Sequence, residues 1–113
     1  MKVIVAGSRS IKDKQSVHDA IKNSGFDITE VVSGNANGVD KLGEQWATEH
    51  GIKLTVFKPQ WDLFGKQAGL VRNTEMARYA DALIAVWDGK SNGTRDMIMK
   101  ANMFNLLMYK EVV

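Results

Sequence analysis

The run Trp87-Asp88-Gly89-Lys90-Ser91-Asn92-Gly93-Thr94-Arg95-Asp96 lies between an apolar stretch, Ala82 to Val86, and a longer apolar-periodic one, Met97 to Met108. Glycines, hydroxyls and a cation at the handover from strand to helix suit an anion. The first turn of a helix carries backbone N–H groups without partners and the positive end of the dipole. Gly89 and Gly93 let a ligand approach the backbone, Ser91 or Asn92 caps the helix, Thr94 offers a hydroxyl and Arg95 a fixed charge. Capping alone does not account for Gly93, which weakens a helix unless it serves the ligand.

Three further segments carry the same chemistry. Gly7-Ser8-Arg9-Ser10 follows the apolar run Val3 to Ala6 and supplies a tight turn, hydroxyls and a guanidinium. Taken alone it is also an ordinary loop, since it lacks a full dinucleotide fingerprint. Ser33-Gly34-Asn35-Ala36-Asn37-Gly38-Val39-Asp40 follows Val31-Val32. Its glycines and asparagines tolerate positive φ and can present consecutive N–H groups as an anion nest. Asp40 either satisfies the dipole of the next helix or accepts a sugar hydroxyl. The third segment, Lys58 to Met76, holds Trp61, Phe64, Gly65, Lys66, Gly69, Arg72 and Asn73. Trp61 can stack on a base or form a small local core with Phe64, and Met76 fits core packing. Asp13 serves equally as a helix cap or a ligand group.

These residues need a scaffold that brings strand ends together. The apolar runs at Val3–Ala6, Val31–Val32, Leu54–Phe57 and Ala82–Trp87 read as buried strands. Between them, helical patterns run over about 14–24, from Val39 to the stop at Gly51, and over about 70–79, where Arg72 and Asn73 open the helix. Gln60 to Gly69 reads as a polar loop, 94–108 as a long last helix, and 110–113 as a short edge strand. The alternation predicts an α/β fold: one Rossmann-like three-layer domain over 1–113, with a mostly parallel sheet of about five strands and helices on both faces. Ligands in such sheets bind outside the carboxyl ends of the strands. Trp46 and Trp87 are expected in the core, and His18 and His50 on solvated helix faces. Along the last helix, Met97, Ala101, Phe104 and Met108 form a core face, while Met99, Met103, Leu106 and Leu107 make the opposite face apolar. A helix apolar on both sides is usually covered on both, so self-association as a dimer or tetramer through 94–108 is expected.

Composition narrows the classes. The 113 residues are 44% hydrophobic and 25% charged, the balance of a soluble globular protein. No cysteine is present, so thiolate chemistry and disulfides are excluded, and two distant histidines give no metal spacing. No metal or cofactor is expected. Fifteen basic against thirteen acidic residues leave a formal charge of +2, too mild to predict a nucleic-acid partner from bulk electrostatics. No apolar run could span a bilayer and the start is too short for a signal peptide, so a cytoplasmic protein without a membrane partner is expected.

The ordered set Gly7-Ser8-Arg9, Ser33-Gly34 with Gly38-Val39-Asp40, Trp61 through Gly65-Lys66 and Gly69 to Arg72-Asn73 and Met76, Asp81-Ala82, and Gly89 through Gly93-Thr94-Arg95-Asp96-Met97-Ile98 resembles the YspA-like branch of the SLOG superfamily. The superfamily includes the LOG phosphoribohydrolases, the DprA/Smf recombination proteins and defence domains, some of which sense cyclic ADP-ribose-type signals. The resemblance implies binding of a nucleotide or nucleotide-derived ligand at glycine-rich strand ends. The implied ligand set is Gly7, Ser8, Arg9, Ser33, Gly34, Asn35, Asn37, Gly38, Asp40, Trp61, Lys66, Arg72, Asn73, Gly89, Ser91, Asn92, Gly93, Thr94 and Arg95. The LOG motif Pro-Gly-Gly-x-Gly-Thr-x-x-Glu carries a glutamate for hydrolysis of the N-glycosidic bond. Here Met97 takes that position and Asp88-Gly89-Lys90-Ser91 replaces the Pro-Gly-Gly portion. Asp96 points about 100° away on a helix. Losing such an acid slows a reaction roughly 10²–10⁴-fold. The expectation is therefore a sensor or sequestering module. The alternative is a nucleotide N-glycosidase that uses Arg72 with Asp40 or Glu75.

Overall fold

The computed structural model describes every residue from Met1 to Val113. Five strands, β1 (Lys2–Gly7), β2 (Glu30–Ser33), β3 (Lys53–Val56), β4 (Ala82–Trp87) and β5 (Leu107–Val112), form one sheet in the order β3-β2-β1-β4-β5. Every neighbouring pair is parallel. Five α-helices lie between the strands: α1 (Lys14–Ser24), α2 (Val39–Glu49), α3 (Trp61–Phe64), α4 (Ala68–Tyr79) and α5 (Asn92–Met103). A 3₁₀ turn, Gly65–Gln67, joins α3 to α4. This is the Rossmann-like α/β arrangement that the alternation of apolar runs predicts.

The period-two geometry of strands divides the core. Val3, Val5, Val31, Ile84 and Val86 meet Val17, Ala20 and Ile21 of α1 and Val39 and Ala47 of α2. Ile4, Ala6, Val32, Leu83 and Ala85 turn to the other face, against Met76 and Ala77 of α4 and Met97 and Ala101 of α5. With both faces covered, β1 and β4 are apolar without alternation, as buried parallel strands require. The chain moves from β1 outward to β3, then crosses back to β4. The strand order thus reverses between β1 and β4, and a crevice opens there at the carboxyl ends.

Local signals account for most boundaries. The Asp13 carboxylate accepts from the Gln15 N–H at 3.1 Å and caps α1, and Gly25 ends that helix at φ 70°. The last helix is shorter than its apolar periodicity predicts: α5 stops at Met103, and Phe104 closes it. Asn105 adopts φ 60°, Leu106 N–H donates back to Ala101 at 2.9 Å, and Leu107 N–H donates to Asp81 and begins β5. Leu106, Leu107 and Met108 therefore lie off the helix. The outer apolar face of α5 reduces to Met99 and Met103, 52% and 66% exposed.

Smaller differences follow from packing. The polar loop expected over 60–69 contains α3 and the 3₁₀ turn, and α4 begins at Ala68, so Arg72 and Asn73 sit a turn inside the helix. Trp87 is only half-buried, with Arg95 over its ring. His50 stacks on Trp46, ring centroids 4.4 Å apart, and His18 is half-buried rather than solvated. No helix is long and apolar enough to cross a membrane.

Candidate functional site

Four loops meet at the crevice between β1 and β4, and glycines set the close approaches of the first two. Gly7 ends β1 where an added Cβ would lie 2.0 Å from the Val86 carbonyl oxygen, so no other residue fits. Ser8 turns inward and is fully buried; its Oγ accepts the Asp88 N–H at 2.9 Å and ties the first loop to the fourth. Gly38, at φ 76°, lets the start of α2 press on the backbone of Ser8 and Arg9. Arg9 is left exposed at the mouth.

The β2–α2 loop spends its donors internally. Asn35 N–H donates to Ser33 Oγ at 3.1 Å, and Ala36 N–H donates to Asp40 Oδ2 at 3.2 Å. The consecutive-amide nest expected there is therefore partly filled by the chain's own oxygens. Ser33 is buried and donates to Glu44 Oε2, a partner that strand-end reasoning does not identify. Asp40 is also buried, and desolvation pushes its carboxyl up to about 6 against the opposing pull of the Ala36 N–H and the Arg72 guanidinium.

Arg72 reaches from α4 across to this loop. Its Nη1 donates to the Gly34 carbonyl and its Nε to Asn73 Oδ1 at 3.1 Å. A Cβ on Gly34 would strike the guanidinium at 2.7 Å and approach Asp40 Oδ2 to 3.0 Å, so glycine is what allows the two charges to converge. Asn73 clasps α5 through Gly93 O at 3.2 Å and Asp96 Oδ2 at 2.9 Å, and Lys100 adds an ion pair to Asp96.

The fourth loop precedes α5. Ser91 occupies the cap position, but its Oγ accepts the Thr94 hydroxyl at 3.3 Å and no backbone N–H, which leaves the first-turn N–H groups free of side-chain partners. An added Cβ at Gly93 would meet no atom within 4 Å, and Gly93 is not at positive φ. Neither packing nor backbone conformation requires glycine at this position. Its effect is to open the helix start toward the crevice.

The crevice has two connected parts that share Arg9, Ala36 and Arg72. The inner recess, about 70 Å³, is bounded by Gly7, Asp40, Asn73, Ser91, Gly93 and Thr94, with Met76 and Met97 as its apolar floor. The outer part, about 300 Å³, is bounded by Gly34, Asn35, Asn37, Pro59 and Trp61. Trp61 is 55% exposed.

Other expected residues do not line it. Ser8, Ser33 and Gly38 act behind the walls, and Gly89 (φ 80°) turns the fourth loop. Arg95 donates to Asn92 Oδ1 and Gly89 O and lies over Trp87, so it braces the loop instead of facing the recess. Lys66 and Glu75 are exposed and outside both parts. Sequence reasoning missed Ala36 and Pro59, small or apolar residues with no chemical signal, and Asp88, whose carboxylate organises the fourth loop.

Known proteins resemble this chain in sequence and in fold. The sequence pattern of the family described as YAcAr (YspA, cpYpsA-related SLOG family) matches residues 1–64. The Gene 61 protein of Mycobacterium phage D29 is 36% identical over 110 residues, covering 88% of this chain and 87% of that protein. Among solved structures, DNA processing protein A (DprA) from Streptococcus pneumoniae superposes with a TM-score of 0.79 at 20% identity, over 96% of this chain. The chain spans 49% of that structure's length, and at this identity the likeness speaks for the fold.

Proposed function

The chain belongs to the YspA, cpYpsA-related SLOG family, and on that premise we propose that its crevice binds a nucleotide or nucleotide-derived molecule, of ADP-ribose-like or cyclic-nucleotide type, as a sensor or sequestering module. The observation that carries this reading is the convergence of the uncapped start of α5, opened by Gly93, with Arg9 and Arg72 on one recess. Backbone N–H groups and guanidinium cations are both donors that hold phosphate oxygens. In this reading Asp40, which lines the recess, accepts a ribose hydroxyl, and exposed Trp61 offers a stacking face for a base. As a sensor the domain requires a partner to pass the signal on. The same reading has the chain pair with a second copy through the outer face of α5.

A second reading, nucleotide N-glycosidic hydrolysis, is favoured by one feature. Asp40, pushed up to about 6, shares the recess with Arg72 and is thus a candidate acid at neutral pH. Glu75 plays no part, because it is exposed and outside the crevice.

One experiment separates these readings. The protein is incubated with nucleoside monophosphates, NAD, ADP-ribose, cyclic nucleotides and a single-stranded oligonucleotide, with thermal shift followed and the ligand analysed by chromatography. The proposal expects a small molecule that raises Tm, is recovered intact, and loses its effect in Arg72→Ala. Release of free base with turnover selects the hydrolase, and a shift from the oligonucleotide alone removes the small-molecule reading.

A further inference from the structure

Asp88 is an anomaly in a cradle for anions. It lies on the loop that leads into α5, beside the recess proposed for phosphate, where a carboxylate repels the ligand. Its surroundings show what it does instead. Asp88 Oδ1 accepts from both Lys90 N–H and Ser91 N–H at 2.8 Å, and these bonds hold the carboxyl below its usual range. Its own N–H donates to the buried Ser8 Oγ, and the Ser10 hydroxyl approaches Oδ2 at 3.5 Å. The loop is also fixed by Trp87 Nε1, which donates to Ser91 O at 3.1 Å. A single side chain thus takes the two amides just before the helix and leaves those of the first turn of α5, where Gly93 and Thr94 line the recess.

The turn is thus made by a folded-back carboxylate together with Gly89 at φ 80°.

We propose that Asp88 is the positioning residue of the site: its Oδ1 sets the direction of the α5 amides that receive a phosphate group, and its negative charge is incidental. The proposal rests on the nucleotide-binding reading. It sets geometry and charge in opposition, so two substitutions separate them. Asp88→Asn keeps an Oδ1 acceptor for both amides and removes the charge. Asp88→Ala removes both.

The test titrates inorganic phosphate and AMP into wild type and both variants, following phosphate by ³¹P NMR line width and AMP by calorimetry, with Tm and circular dichroism recorded for each protein. Asp88→Ala is expected to weaken both ligands about tenfold or more, and Asp88→Asn to match wild type or bind about threefold tighter as the like charge is lost. Tighter binding by both variants shows that Asp88 acts through charge alone and overturns the proposal. Equal weakening by both also overturns it, because the retained acceptor then rescues nothing. If wild type binds phosphate or AMP and Asp88→Ala binds as well, only the positioning role falls. If wild type binds neither, the phosphate reading of the recess fails and the role of Asp88 fails with it.

Discussion

Asp40 shows how one side chain can report on its own burial. Its carboxyl titrates near 3.8 in a solvated chain and at about 6 in the fold, mainly because burial disfavours the charge. With the folded value raised, the native state holds the extra proton between the two values. The favourable contribution is therefore fully present below about 3.8 and lost as pH rises through about 6. Linkage across that window predicts that wild type loses about 1 kcal/mol of stability between roughly pH 5 and pH 7.5 from this group. Asp40→Asn, which keeps an acceptor for the Ala36 N–H, should lack this loss when urea unfolding is compared at the two pH values. Equal slopes for the two proteins would mean that Asp40 titrates normally. Arg95 contrasts with it: placed in the cradle on the strength of its charge, it is turned toward Asn92, Gly89 and the Trp87 ring and does not line the recess.

At the scale of elements, β1 to β4, α1 and α2 are legible because each carries a clear apolar pattern and ends at a strong signal. β4 is an uninterrupted apolar run and α1 lies between Asp13 and Gly25. The end of α5 was not legible, because Phe104 to Met108 continue the apolar spacing without glycine or proline. Only Asn105 marks the turn, by accepting the left-handed conformation that asparagine tolerates better than most residues. The site was legible as glycine-rich strand ends, but sequence could not sort one glycine from another. Gly7 is required by packing, Gly34 by the approach of Arg72, and Gly93 by neither. That contrast yields a prediction in two parts. Gly93→Ala should leave the fold intact or stabilise it by up to about 1 kcal/mol through helix propensity, yet weaken the nucleotide thermal shift by narrowing the recess. Gly7→Ala should lower Tm sharply, since its Cβ has no space beside Val86. A Gly93→Ala protein with wild-type ligand response would remove this glycine from the site.

For the molecule as a whole, both faces of the sheet are covered and the two strand edges remain, so self-association must use either an edge or a helix face. The β5 edge is poorly made for it. A two-fold copy that extended the sheet would run antiparallel to β5 with the same face up, and the strand would then pair about one residue that faces itself. Centred on Lys110, that register sets two lysines opposite each other; centred on Tyr109, it sets Met108 against Lys110 and Leu107 against Glu111. Edge charges of this kind are how sheets resist such pairing. The outer face of α5 carries no comparable barrier, since Met99 and Met103 lie one turn apart and are both largely exposed. Sedimentation equilibrium should therefore give twice the chain mass for wild type at micromolar concentration. Met99→Glu/Met103→Glu should sediment at the single-chain mass with Tm and nucleotide response retained, because these side chains lie outside the crevice. Replacing Lys110 with threonine should leave the wild-type mass unchanged. A monomeric wild type, or a dimer that survives the double substitution, would remove the α5 face as the contact.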